Sequence, residues 1–92
     1  MLAHVWNGLG QVELARGHAD LARPLLERAV AMREHSPGDA TDLAESRFAL
    51  CRALPASDHA RAVQLATAAR DAYRAAGAGY AARLAAVEAW LK

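Results

Sequence analysis

The chain reads as an all-α protein, built of antiparallel helical hairpins with five helices. Three observations predict it. First, 25 of the 92 residues are alanine and none is isoleucine. Alanine has the highest helix propensity, and its small side chain lets helices approach closely. The β-branched and aromatic residues that suit strands are scarce. Second, apolar residues recur at spacings of three and four, the period of a helix face. Third, glycine and proline interrupt this pattern at Gly17, at Ser36-Pro37-Gly38, at Pro55 and at Gly77-Ala78-Gly79. The pieces between are helix-length, and the short loops suit antiparallel neighbours.

Residues 2–15 carry Leu2, Val5, Trp6, Leu9 and Val12 on one stripe, with Gly8 and Gly10 inside it. A glycine within a helix costs about 1 kcal/mol relative to alanine, so each marks a place where a neighbouring helix comes close. Gly17 suits a left-handed C-terminal cap. The second helix spans 18–35, with Leu21, Ala22, Leu25, Leu26, Ala29, Val30 and Met32 or Arg33 on its apolar face. Pro24 places the start of regular helix near Asp20 or bends the helix at the proline. Asp20 and the pair Arg33 and His35 match the helix dipole at its two ends.

Ser36-Pro37-Gly38-Asp39 is the strongest break. Asp39 or Thr41 then caps a third helix running to about Leu54. Ser57 or Asp58 caps the fourth, about 58–76. A last helix, about 80–92, shows Tyr80, Leu84, Val87 and Leu91 on one face, with Trp90 nearby. No linker is long enough to divide the chain, so residues 1–92 read as a single helical-repeat domain.

Shifting the chain by 40 residues aligns the first two helices with the next two. Identities fall at Leu14/Leu54, Ala22/Ala62, Leu25/Leu65 and Ala29/Ala69. Trp6-Asn7-Gly8-Leu9-Gly10, a turn glycine at Gly17, and small residues Ala22 and Ala29 around the larger Leu26 resemble the tetratricopeptide repeat family. In the second repeat Ser46 replaces the tryptophan, Ala49 and Leu50 replace Leu-Gly, and Ser57 replaces the turn glycine. The segment ERAVAMREHSPGDATDLAES is similar to the extended repeats of the kinesin-light-chain type. The alanine- and arginine-rich style also resembles the helical repeat tails of large bacterial signalling proteins. The resemblance implies a short right-handed superhelix: repeat one at 4–37, repeat two at 39–76 and a capping helix at 80–92.

That family's first helices line a concave groove that holds a protein or peptide ligand. Carried over residue by residue, the groove would take His4, Asn7 and Gln11 from the first repeat, with Ala44, Arg47 and Cys51 from the second. A uniform shift sets Asn7 and Arg47 at equivalent positions, and basic residues there hold a peptide carboxylate in some family members. The expected function is therefore a non-catalytic interaction module or scaffold. The alternative is a structural spacer or self-association element working through its terminal helix faces. Stacked repeats bury each other's apolar sides, and Leu25, Leu26, Ala29 and Phe48 are the expected packing seam between the hairpins. Leu2, Val5 and Trp6 have no neighbour on their outer side, so upstream repeats or a homodimer partner would cover them.

Other functions lack their residues. Eleven basic and ten acidic residues are interleaved at a formal charge of +1, which argues against a nucleic-acid partner. No apolar run of about 18 residues exists to span a membrane. The N-terminus lacks a basic region followed by an apolar core, so no signal peptide is expected. The lone Cys51 excludes an internal disulfide and fits a reducing, cytoplasmic setting. His4, His18, His35 and His59 do not pair at helical metal spacing, and neither a phosphate loop nor a base beside Cys51 is apparent. No enzyme, metal or cofactor is expected. Burial explains Cys51, and helix capping explains Asp39 and Asp42.

Overall fold

In the computed structural model, which describes residues 2–35 and 38–92 (Leu2 by its backbone alone), five α-helices and no strands occur among the described residues. They are α1 (Leu2–Ala15), α2 (Ala19–His35), α3 (Ala40–Ala53), α4 (His59–Ala76) and α5 (Ala81–Leu91). Short 3₁₀ turns, Ala56–Asp58 and Ala78–Tyr80, lead into α4 and α5. Each helix packs on its sequence neighbour, giving the hairpins α1–α2 and α3–α4 with α5 laid on α4. The expected break at Ser36-Pro37 lies outside the described residues.

Local chemistry explains most boundaries. Gly17 adopts φ 81°, a left-handed conformation that is costly for other residues. It lets His18 N–H donate to the Glu13 carbonyl at 2.8 Å and Gly17 N–H to the Leu14 carbonyl at 3.0 Å. These paired bonds close α1 as a Schellman motif. Asp39 caps α3 by accepting from Thr41 N–H at 2.8 Å. Regular helix α2 begins at Ala19 and continues through Pro24. Pro24 is exposed, so water can satisfy the carbonyl one turn earlier that its missing N–H leaves free. The capping expectation for α4 is corrected. Neither Ser57 nor Asp58 makes a side-chain cap bond, and the Asp58 carboxylate instead accepts from Arg23 at 3.1 Å.

Two apolar clusters hold the stack. At the seam between the hairpins, Ala22, Leu26 and Val30 of α2 meet Ala49, Leu50 and Ala53 of α3. The second cluster joins Ala44 and Cys51 of α3, Ala62, Ala66, Ala69 and Tyr73 of α4 and Val87 of α5. Tyr80, Leu84, Trp90 and Leu91 pack onto it, as the α5 stripe predicts. Alanine dominates both seams, so the helices sit close and each buried larger side chain fills a defined gap. Phe48 was expected in the seam between hairpins. It packs against the second cluster instead. Of its expected companions, Leu26 is at the seam and Ala29 is fully buried, but Leu25 joins neither cluster.

The first helix departs most from expectation. Its apolar stripe is not its buried face: Val5, Leu9 and Val12 are 51%, 49% and 49% exposed. Asn7 and Gly10 are buried instead. A Cβ built on Gly10 would lie 2.5 Å from Leu26 Cγ, whereas one built on Gly8 meets nothing within 4 Å. Only Gly10 therefore marks a close helix approach within the chain.

Candidate functional site

A concave depression of about 280 Å3 crosses the first helices of the stack. Gln11 of α1, Glu45, Phe48 and Arg52 of α3, Tyr73 of α4, and Arg83 and Ala86 of α5 line it. On α3 the contributors are spaced three and four apart, so one helix face supplies an acid, an aromatic ring and a base. Gln11 Nε2 donates to Glu45 Oε1 at 3.0 Å, fixing the carboxylate.

Two arginines also line the depression. The Arg52 guanidinium lies 5.3 Å from the centre of the Phe48 ring, and that of Arg83 lies 5.9 Å from the centre of the Tyr80 ring. Neither forms an ion pair among the described residues, in contrast to Arg16, Arg23, Arg47, Arg61, Arg70 and Arg74. A guanidinium group over a ring is held by the ring's negative face while its N–H groups can still donate to other acceptors. Tyr73 and Tyr80 stack at 5.8 Å. Burial raises the Tyr73 phenol above its ordinary pKa, against the opposing charge of Arg83. The tyrosine therefore remains neutral at pH 7 and offers a rigid, amphipathic floor.

Glu45 also borders a second, larger depression of about 590 Å3, formed with Ala3, His4, Met32, Arg33, His35, Asp39 and Asp42. Its carboxylates outnumber its single arginine. Hydrogen bonds from the Thr41 hydroxyl and N–H keep the Asp39 carboxyl below its ordinary range. The two depressions meet at Glu45, so carboxylates crowd the larger and two arginines join the smaller.

The expected groove residues divide. His4 is exposed and borders the larger depression, and Gln11 borders the smaller one. Asn7 does not reach the groove. It is 4% exposed, and its Oδ1 accepts from Ser46 Oγ at 2.8 Å. Ser46 Oγ in turn accepts from Arg33 Nη1 at 2.7 Å, and the same nitrogen donates to the Asp42 carbonyl at 2.6 Å. This chain of bonds joins α1, α2 and α3. Arg47 points to α2, where it pairs with Glu34 at 3.2 Å. Ala44 and Cys51 are buried in the second cluster. Burial pushes the Cys51 thiol up to about 11, against a smaller opposing effect of Arg52, which leaves it a poor nucleophile at neutral pH.

The cause of the misplacement is the turn length. Leu54–Asp58 between α3 and α4 is longer than Arg16–His18 between α1 and α2. A single shift therefore superposes the second helices but not the first: Leu2–Ala15 falls on Ala40–Ala53, which sets Glu45, not Arg47, at the position of Asn7. The residues missed were Glu45, Phe48, Arg52, Tyr73 and Arg83. For Glu45, Phe48 and Arg52 the signal was an acid, an aromatic and a base at helical spacing in α3; Tyr73 and Arg83 join them only through the packing of α4 and α5.

No three or more His, Cys, Asp or Glu side chains come together to hold a metal ion among the described residues. No described helix is long and apolar enough to cross a membrane. The chain has no significant match among protein-family models, curated proteins or solved structures.

Proposed function

We propose that the chain is a non-catalytic interaction module, of the tetratricopeptide-like kind, that takes an extended peptide segment along the surface shared by α1, α3 and α5. The observation that carries this reading is a pair of guanidinium groups, Arg52 and Arg83, that stand over aromatic rings and form no ion pair among the described residues. Guanidinium donors suit carboxylates because they can form two parallel bonds at once. The larger depression, with Asp39, Asp42 and Glu45, suits a base. The ligand that fits is a segment with Lys or Arg at one end, Asp or Glu at the other, and an apolar or aromatic residue between.

The test is binding of a fluorescently labelled peptide of that design, followed by anisotropy. Arg52→Ala and Arg83→Ala should each weaken binding by about tenfold, the scale of one lost charged hydrogen bond. Arg47→Ala should leave affinity unchanged, because Arg47 belongs to the α2 contact. Circular dichroism should be the same for all three variants. Equal affinity of Arg52→Ala, Arg83→Ala and the unsubstituted chain would sink the groove reading.

A further inference from the structure

Among the described residues, the large apolar side chains that remain half exposed are Val5, Leu9 and Val12 of α1 and Leu21 of α2, all in the first hairpin. None enters either apolar cluster. The second hairpin shows how a face at this position is used. Under the shift of 40, Leu21 and Leu25 correspond to Arg61 and Leu65. Arg61 clasps Glu27 of α2 through two bonds of 2.6 Å, and Leu65 packs against the seam between α2 and α3. These positions are where one hairpin stacks on the one before it. In the first hairpin they are leucines: Leu21 is half exposed, and Leu25 joins neither apolar cluster.

We propose that this face binds the same face of a second copy of the chain, giving an antiparallel, twofold-symmetric dimer. An apolar patch that pairs with itself satisfies the isologous rule without needing a second surface. Leu9 lies midway between Val5 and Val12, so an antiparallel crossing at Leu9 sets each Val5 against the partner's Val12. Gly8 sits beside Leu9 with open space where a Cβ would be, which lets the partner's helix approach closely. Charge selects the same direction. Asp20 and Arg28 are exposed at either end of this stretch of α2 and form no ion pair among the described residues. The antiparallel arrangement brings each Asp20 toward the partner's Arg28, while a parallel one sets like against like. Arg28 is already held 5.0 Å from the centre of the Trp6 ring. The groove lies on another side of α1, through Gln11, so the dimer would present two grooves and gain avidity for a partner with repeated segments.

Sedimentation across a concentration series tests this. The unsubstituted chain should sediment as a dimer, and Leu9→Glu as a monomer with the same helical circular dichroism. Asp20→Arg and Arg28→Asp should each raise the dissociation constant by about tenfold, and the double substitution should restore it. If Leu9→Glu fails to fold, Val12→Glu gives the same readout from another half-exposed position. A monomer at the highest soluble concentration overturns the proposal. So does a dimer indifferent to these glutamates, which would place association elsewhere, such as on the exposed alanines of α5. Failure of the double substitution to restore the dimer overturns the antiparallel geometry.

Discussion

Helices α1 and α3 open the two hairpins and have the same length, yet they are used differently. Helix α3 is enclosed: Ala49, Leu50 and Ala53 meet α2, Ala44 and Cys51 enter the cluster shared with α4 and α5, and Glu45, Phe48 and Arg52 line the groove. Helix α1 turns its small and polar side inward, through Asn7 and Gly10, and leaves Val5, Leu9 and Val12 half exposed. In a stacked array, neighbours decide which face is core. The difference teaches that apolar residues on a helix identify its core face only when neighbours cover it.

Truncating leucines in the two helices should break this comparison most clearly. Leu50 is fully buried, so Leu50→Ala should cost about 2–5 kcal/mol through lost transfer energy and a cavity. Leu9→Ala should cost under about 1 kcal/mol when measured on dilute, monomeric protein. Urea denaturation followed by circular dichroism reads both, and equal losses would show that α1 is as enclosed as α3.

The glycines sharpen the account of α1. Gly10→Ala gains helix propensity but drives a methyl into the buried Leu26 side chain. Overpacking of that kind costs about 1–3 kcal/mol, so a net loss is expected. Gly8→Ala meets no atom and should stabilise the monomer by about 0.5–1 kcal/mol. Thermal melts of the two variants should therefore move in opposite directions.

These contrasts show what was legible in the sequence. Helix positions were legible because their ends are set by local chemistry, as at Gly17 and Asp39. The α5 stripe was legible because only one side of that helix meets the stack. The buried face of α1 was not, because Gly10 is buried by the shape of Leu26, a residue on another helix. The groove was half legible. Gln11 borders it and His4 borders the adjoining depression, but the longer second turn displaced the carry-over onto Arg47, which pairs with Glu34 instead. Arg52 and Arg83 could be recognised only once the folded chain showed which arginines have carboxylate partners.

The smallest expected effect concerns the exposed ion pairs between the hairpins. Glu27 accepts two bonds from Arg61 and lies 3.7 Å from Arg23, which also reaches Asp58. Arg61 hydrogen bonds lead in holding the Glu27 carboxyl below its ordinary pKa. A lowered folded pKa contributes stability above the unfolded value and loses it as pH falls through the folded one. Both partners are partly exposed, so Glu27→Gln should remove only about 0.5–1 kcal/mol at neutral pH. The two proteins should converge in stability in acid. A constant difference down to low pH would assign the effect to packing, not charge.

The central claim is that recognition occurs on the surface shared by α1, α3 and α5. Residue-resolved NMR titration with the peptide acidic at one end and basic at the other addresses it directly. The account predicts that the largest shifts fall on Gln11, Glu45, Phe48, Arg52 and Arg83, with Arg47 and Cys51 little changed. Shifts centred on Val5, Leu9, Val12 and Leu21 with a silent groove would contradict it.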